Sequence, residues 1–549
     1  MFVNGPAMFI ATIRTIALAL LLALLLSAAA MAAGAGTVDP ALLAPLASGD
    51  TRAKLQAIEQ LGDASSQEAV TVLEALGSDK LYVTAQGRIL VSDDAKRAVD
   101  PATGQEQVLP EDAETIVLNN RLRSAIADAL ATSRILSKEA PTRLAAARHL
   151  QKSSDPAALA PITRALAQET DSEVRTALET AQAGLELKSP DPAIREHAVN
   201  LLGSTANAAF RPALAALLVQ DAGGAFAEPD ANVRASAATA ISRIDRHLAA
   251  IEWAGNIFYG LSLGSVLLLA ALGLAITFGL MGVINMAHGE LLMIGAYITY
   301  AVQLLFQRFA PAWLDWYVLA ALPAAFLATA AIGMALERTV IRRLYGRSLE
   351  TLLATWGISL ILMQAVRTLF GAQNVEVANP SWMSGGITVL GGLVLSYNRL
   401  AIIVFAFLVV AFVWLILNHT RIGLFVRAIT QNRQMADCVG VPTGRIDMLA
   451  FGIGSGIAGL GGVALSQLGN VGPDLGQNYI VDSFMVVVLG GVGQLAGTVV
   501  AAMGLGGVNK LMEPYAGPVI AKIAILVLIV LFVQKRPQGL FAPRGRSAE

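Results

Sequence analysis

The run Asn256-Ile-Phe-Tyr-Gly260-Leu-Ser-Leu-Gly-Ser-Val-Leu-Leu-Leu-Ala270-Ala-Leu-Gly-Leu-Ala-Ile-Thr-Phe-Gly-Leu-Met281 contains no Asp, Glu, Lys or Arg. A helix rises about 1.5 Å per residue and bilayer hydrocarbon is about 30 Å thick, so about 20 such residues cross it. Working outward toward the carboxy terminus, comparable segments recur at roughly 291–307, 316–336, 351–370, 400–417, 447–467 and 516–534, with a glycine-broken stretch at 481–511. Beyond position 250 the chain carries 17 Lys+Arg and 12 Asp+Glu, whereas the part before it carries 22 and 28. The formal net charge of −1 therefore joins a sparsely charged region to an acidic one. The expected fold class is all-α, with a polytopic helical membrane domain over 251–549.

Lys and Arg collect on the cytoplasmic side of a membrane protein. If the chain enters from outside, three crossings put Arg338, Arg342, Arg343 and Arg347 inside, and five put Arg421, Arg427, Arg433 and Arg445 inside. The tail Lys535, Arg536, Arg544 and Arg546 belongs inside too, so the stretch 481–511 must begin and end on the outer side. This predicts a re-entrant or broken pair of helices split at Gly490-Gly491-Val492-Gly493-Gln494-Leu495-Ala496-Gly497. Non-helical backbone at membrane depth is tolerated where it is buried in protein or lines a watery path, so the break marks a pathway, tight packing through small residues, or both.

Working outward the other way, Arg14 precedes an apolar run from Ile16 to Leu26 and then the small residues Ser27 to Ala33. This reads as a signal peptide over 1–33, or as an uncut anchor; in both cases the segment that follows is exported. Residues 34–250 are expected to form an extracytoplasmic helical-repeat domain. Asp171-Ser-Glu-Val174-Arg175, Asp191-Pro-Ala-Ile194-Arg195 and Asp230-Ala-Asn-Val233-Arg234 each place an N-capping Asp before Ala- and Leu-rich helical sequence. The pattern resembles HEAT-like repeats, with degenerate copies at 50–61 and 142–150, serving as a docking surface or as a spacer. Between them, Leu81 to Leu109 contains two short β-rich runs around Gly87, which predicts a β-hairpin insertion.

The charge balance excludes a strongly basic nucleic-acid binder. The single cysteine, Cys438, excludes an internal disulfide or a multi-thiolate metal site. No Gly-x4-Gly-Lys-Ser/Thr phosphate loop occurs, so uphill movement of a substrate would need a separate ATPase; no catalytic residue, metal or cofactor is expected. Gly279-Leu-Met-Gly-Val-Ile-Asn285-Met-Ala-His288-Gly289-Glu290 sets polar groups between two apolar spans. They either line a polar route or fix a helix break, and His288 and Glu290 lack the companions of a metal site.

That motif, with Thr355-Trp356-Gly357-Ile-Ser359, Arg421-Ile-Gly423-Leu-Phe-Val-Arg427-Ala428, the Gly490–Gly497 stretch and the ending Arg536-Pro537-Gln538-Gly539-Leu540-Phe541, resembles the permeases of branched-chain amino-acid-type ABC importers. The exported extension and the stretch from Ala354 to Ser359, with Asn379-Pro380-Ser381-Trp382-Met383, are similar to the urea-importer branch. The resemblance implies an inner-membrane permease moving urea, or alternatively a branched-chain amino acid or short amide, by ATP-driven alternating access; a passive channel or secondary transporter is the reading from another class. Asn285, His288, Glu290, Thr355, Trp356, Ser359, Gln364, Gly493 and Gln494 are the expected pathway residues. Thr430 to Val439 is expected to form a short amphipathic helix ended by Gly440 and Pro442. The resemblance makes it the ATPase-coupling element, with Arg427, Asn432, Ala436, Asp437, Gly440 and Pro442 as its residues. The implied partners are ATP-binding subunits, a second homologous permease or a copy of this chain, a periplasmic substrate-binding protein and membrane lipid. The carboxy terminus is expected in the cytoplasm.

Overall fold

The computed structural model describes residues 38–541 except 65, 94, 95, 154 and 390. The segment read as a signal peptide, like Arg544 and Arg546, lies outside the described residues. The chain is mostly helical and divides into two compact units, one up to Leu248 and one from Ala249.

The amino-terminal unit begins with α1 (Pro40–Leu43), α2 (Thr51–Ala64) and α3 (Gln67–Gly77), and continues after its strands with α4 (Asn120–Arg134), α5 (Ala140–Leu150), α6 (Leu159–Gln168), α7 (Ser172–Glu186), α8 (Pro192–Ser204) and α9 (Arg211–Ala216). The predicted caps form. The Asp171 carboxylate accepts from the Glu173 and Val174 amides that open α7, Asp191 accepts from Ala193 at the start of α8, and Asp230 from Asn232 and Val233. Each satisfies N–H groups that a helix start leaves without a partner. Behind the caps, Val174, Ala177, Leu178 and Ala181 on α7 and Ala198, Val199 and Leu202 on α8 are buried at helical spacing.

The expected hairpin is part of something larger. Strands β1 (Leu81–Val83), β2 (Ile89–Val91), β3 (Arg97–Val99), β4 (Glu106–Val108) and β5 (Glu114–Thr115) make one antiparallel sheet in the order β4-β3-β2-β1-β5. Leu81 pairs with Val91 and Val83 with Ile89 around the Gly87 turn, while the Asp100–Gly104 turn closes a second hairpin. β4 and β5 are exposed polar strands without an apolar alternation to betray them. The all-α class and the single hairpin are corrected to that extent.

Helix α10 (Ala231–Met281) follows. The helix predicted after Asp230 and the span predicted at 256–281 are one continuous 51-residue helix, because nothing between Arg246 and Gly255 breaks helical backbone. The carboxy-terminal unit then contains α11 (His288–Phe309), α12 (Tyr317–Thr339), α13 (Ser348–Phe370), the hairpin β6 (Gly386–Val389) and β7 (Leu393–Ser396), α14 (Tyr397–His419), α15 (Arg421–Gln431), α16 (Arg433–Cys438), α17 (Thr443–Ser466), α18 (Leu475–Gly490) and α19 (Leu495–Lys535). Among the described residues, seven helices are long and apolar enough to cross a membrane. Each overlaps a span read from the sequence.

Helix α17 is the centre of this unit. Gly454, Gly459 and Gly462 bring its backbone against α10, α12 and α11. A Cβ on Gly295 of α11 would lie 2.6 Å from the Gly459 Cα, and one on Gly454 would lie 2.7 Å from the Gly273 carbonyl oxygen. Small residues let backbones approach where lipid supplies no hydrophobic drive between helices.

The chain breaks where the glycines predicted. Helix α18 ends at Gly490; Gly491 (φ 100°) and Gly493 (φ 77°) occupy left-handed backbone, and α19 starts at Leu495. Straight, the 41 residues of α19 would extend about 60 Å. Yet the Leu540 amide donates to the Leu489 carbonyl (2.8 Å) and Phe541 to Gly490 (3.3 Å). The chain therefore doubles back, at Gly517 (φ 76°, ψ 163°) beside Pro518. Residues Arg536 to Phe541, quoted above as a separate motif, close the carbonyl end of the broken helix.

Candidate functional site

The loop between α10 and α11 is a run without helical repeat that must find partners for its own backbone. Asn285 Oδ1 accepts from the Ala287 amide (3.1 Å), and Thr355 Oγ1, on α13, accepts from the Met286 amide (3.2 Å). His288 Nε2 donates to the Ala270 carbonyl of α10 (3.0 Å), and Ser359 Oγ donates to Glu290 Oε1 (2.9 Å). These five side chains are all buried. Thr355 and Ser359 stand one helical turn apart on the inward stripe of α13, which continues through Thr351 and Val366.

The cluster keeps unused hydrogen-bonding capacity. Asn285 Nδ2, His288 Nδ1 and Glu290 Oε2 are buried without a hydrogen-bond partner. A buried polar group without a partner costs about 1–3 kcal/mol, more if charged, so these three atoms set this loop apart from the apolar core around it. Beside Glu290, Gly289 packs on Gly476 at the start of α18, and Arg367 pairs with Asp474 (2.6 Å).

The other expected pathway residues lie elsewhere. Trp356 is 52% exposed and Gln364 is also exposed, because one residue along a helix turns the side chain about 100° and takes both off the Thr355–Ser359 stripe. Gly493 rests on Gly279, and a Cβ on Gly279 would sit 2.5 Å from the Gly493 Cα. Gly493 and Gln494 instead border a cleft of about 940 Å³ whose walls include Phe407, Trp414, Arg427 and Gln431. Gln494, read as pathway, and Arg427, read as coupling loop, thus share one cavity. The Asn379–Met383 stretch is fixed to the residues before α12: the Ser381 amide and hydroxyl each donate to Asp315 (2.8 Å), and Trp382 Nε1 donates to the Asp315 carbonyl (2.8 Å).

The helix expected at Thr430 to Val439 is shorter than predicted. Residues 430–439 are not one helix: α15 ends at Gln431, Asn432 is extended (φ −154°, ψ 102°), and its side chain caps the new helix α16 at the Met435 amide (2.9 Å). Asn strongly favours the N-cap, which an amphipathicity argument overlooks. Ala436 is buried, Gly440 is left-handed (φ 85°), and Pro442 precedes α17, while Thr443 Oγ1 donates to Asp437 (3.3 Å). Arg427 Nη1 donates to the Leu417 carbonyl (2.9 Å).

A second polar cluster had no signal in the sequence beyond charges near span ends. Glu337 at the end of α12 and Asp447 in α17 are both fully buried. Tyr345 donates to Glu337 Oε1 (3.0 Å), and Arg433 pairs with Asp447 Oδ2 while its guanidinium stacks over the Tyr345 ring (4.8 Å). Among the described residues no group of three metal-ligating side chains occurs.

Comparison with known proteins gives a consistent relationship. The family described as "Branched-chain amino acid transport system / permease component" matches residues 256–533. The high-affinity branched-chain amino acid transport system permease protein BraD of Pseudomonas aeruginosa is 31% identical over 292 residues, covering 51% of this chain and 93% of that protein. The corresponding permease protein LivH of Escherichia coli K12 is 28% identical over 292 residues, 52% of this chain and 94% of its own length. A more partial likeness, 28% over 134 residues, 22% of this chain and 42% of the relative, links it to the ribose import permease protein RbsC of Escherichia coli K12.

Proposed function

We infer, from the premise that this chain belongs to the branched-chain amino acid transport system permease family, that it is the membrane-spanning subunit of an ATP-driven importer for a branched-chain amino acid. The family implies separate ATP-binding subunits and a substrate-binding protein, consistent with the lack of a phosphate loop. In this reading the unit up to Leu248 is an exported HEAT-like docking or spacing module, the carboxy terminus is cytoplasmic, and a second permease, homologous or identical, completes the conduit.

The observation that carries the substrate class is Glu290. A buried carboxylate with one oxygen held by Ser359 and the other without a partner is suited to an ammonium group, which amino acids have and urea lacks. The urea reading leaned on the exported extension and on the stretch from Ala354 to Ser359 with Asn379–Met383; within the latter Trp356 faces outward and Ser381 is bound to Asp315. Urea stays the competing substrate in the test.

In vesicles holding the full complex, labelled leucine should accumulate only with ATP and the binding protein, and Glu290→Gln should lower its uptake at least tenfold. Uptake of urea without leucine would overturn the assignment. Movement of either without nucleotide would return the protein to the channel or secondary-transporter class.

A further inference from the structure

We propose that Arg433 is the positioning residue that fixes the short cytoplasmic helix α16 to the glycine-lined core helix α17, so that a displacement of α16 becomes a displacement of α17. The proposal rests on the reading of residues 418–445 as the ATPase-docking loop and adds to it the part through which movement leaves the loop.

The geometry points to this residue in three ways. Arg433 is the first residue of α16, directly after the Asn432 cap, so its backbone moves with that helix. Its guanidinium is bound to Asp447, whose side chain is wholly buried one turn into α17 and whose Oδ1 has no hydrogen-bond partner. Breaking such a pair leaves a buried carboxylate with no hydrogen-bonded cation and only Arg342 nearby, so the partners stay together when either is pushed. The same guanidinium lies over Tyr345, whose hydroxyl holds Glu337 at the end of α12.

Other ties between α16 and α17 are weaker or less directed. Ala436 joins a small apolar cluster with Ile446 and Ala450, and the exposed Thr443–Asp437 hydrogen bond is 3.3 Å long. A second cation, Arg342, comes close, since a Cβ on Gly444 would lie 2.9 Å from its Cζ. It lies in the turn Ile341–Leu344 after α12 and does not belong to α16. Downstream, α17 carries Gly454, Gly459 and Gly462 against α10, α12 and α11. Backbones packed without intervening side chains have little slack, and close-packed interfaces transmit shifts as rigid steps.

The test uses the assembled importer with its ATP-binding subunits and binding protein in vesicles. The readout is substrate imported per ATP hydrolysed, which a merely structural residue would not move once assembly is matched. Arg433→Gln should leave ATP hydrolysis running and lower the ratio at least tenfold. Arg433→Lys, which keeps the charge for Asp447 but loses the planar stack on Tyr345, should recover part of it. An unchanged ratio in Arg433→Gln would overturn the proposal.

If Arg433→Gln does not assemble, the double variant Arg433→Gln/Asp447→Asn removes the uncompensated buried charge. It should assemble and remain uncoupled, and a normal ratio in it would be fatal to the idea. The exposed Cys438 on α16, the one cysteine of the chain, tests the underlying reading separately by cross-linking to the ATP-binding subunits. A cross-link with a normal ratio in Arg433→Gln sinks Arg433 alone. Absence of the cross-link sinks the docking loop and the proposal together.

Discussion

Over their apolar cores, helices are tied by buried bidentate ion pairs in the amino-terminal unit and by glycines that admit a neighbouring backbone in the carboxy-terminal one. In the first, Arg143 donates through Nε and Nη2 to both oxygens of Glu169 (2.7 and 2.9 Å), and its Nη1 reaches the carbonyls of Ser137 and Lys138. Arg195 repeats the arrangement with Glu228 (2.8 and 2.7 Å) and with the carbonyls of Ser189 and Pro190. Each glutamate also accepts from the amide of the next capping aspartate, Asp171 or Asp230 (2.9 Å). In the second unit α17 sets Gly454, Gly459 and Gly462 against neighbouring backbone among apolar side chains such as Ile457 and Leu465, and the unit's few buried charges sit in the two clusters described above.

The difference follows from the solvent each unit was built for. Where water competes, a bidentate, hydrogen-bonded ion pair fixes the register between repeats with geometry that apolar contact lacks. Where lipid surrounds the helices, an unpaired charge is expensive and close backbone approach supplies dispersion contacts instead.

The sharpest way to break this comparison is to remove one charge from the ladder. Arg195→Ala leaves Glu228 buried and unpaired, and should cost about 3–5 kcal/mol, read as accelerated hydrogen exchange in α8 in the full-length protein. Arg195→Met with Glu228→Leu should restore most of the protection. Loss confined to less than about 1 kcal/mol would reduce the clamp to an ordinary surface pair.

Acid should act on the same unit first. The hydrogen bond from Arg143 is the largest cause holding the Glu169 carboxyl at about 2, below its ordinary 4.5, and Arg195 moves Glu228 in the same direction. A carboxyl depressed by folding stabilises fully above its unfolded value. That contribution, about 3 kcal/mol by linkage for Glu169, disappears as pH falls from about 4.5 toward 2. Hydrogen exchange against pH should show α5 and α7 opening across that window while α11 and α17 stay protected. Simultaneous opening of both units would erase the distinction.

The smallest effect belongs to the glycine side. Gly295→Ala puts a methyl 2.6 Å from the Gly459 Cα, and should cost about 1–3 kcal/mol as overpacking, read as a lower thermal midpoint in detergent. A midpoint equal to the parent's would mean that α11 and α17 have slack, and the close-packed account of α17 would need revising.

Much of this was legible along the chain. The apolar runs mark the seven long helices because the number of residues needed to cross hydrocarbon is large and charge within it is expensive. The capping aspartates mark α7 and α8 because a helix start must satisfy its own N–H groups within two or three residues. Gly490–Gly497 marks the break because left-handed backbone selects glycine. Of the residues expected along a pathway, Asn285, His288, Glu290, Thr355 and Ser359 are buried, with Ser359 holding Glu290, whereas Trp356 and Gln364 are exposed, since the sequence gives the period of α13 but not which face turns inward.

By itself, then, the sequence determined what is local: where helices start, how long they are, where they break, and which stretches avoid charge. Only the tertiary structure decided which distant groups meet: Arg143 with Glu169, Arg433 with Asp447 and Tyr345, Ser359 with Glu290, and the Arg536–Phe541 ending with the broken end of α18. Local rules act through backbone hydrogen bonds and solvation over a few residues, and each leaves its trace in a short window. A partner far away in the chain is chosen by packing of the whole unit, and no short window records it.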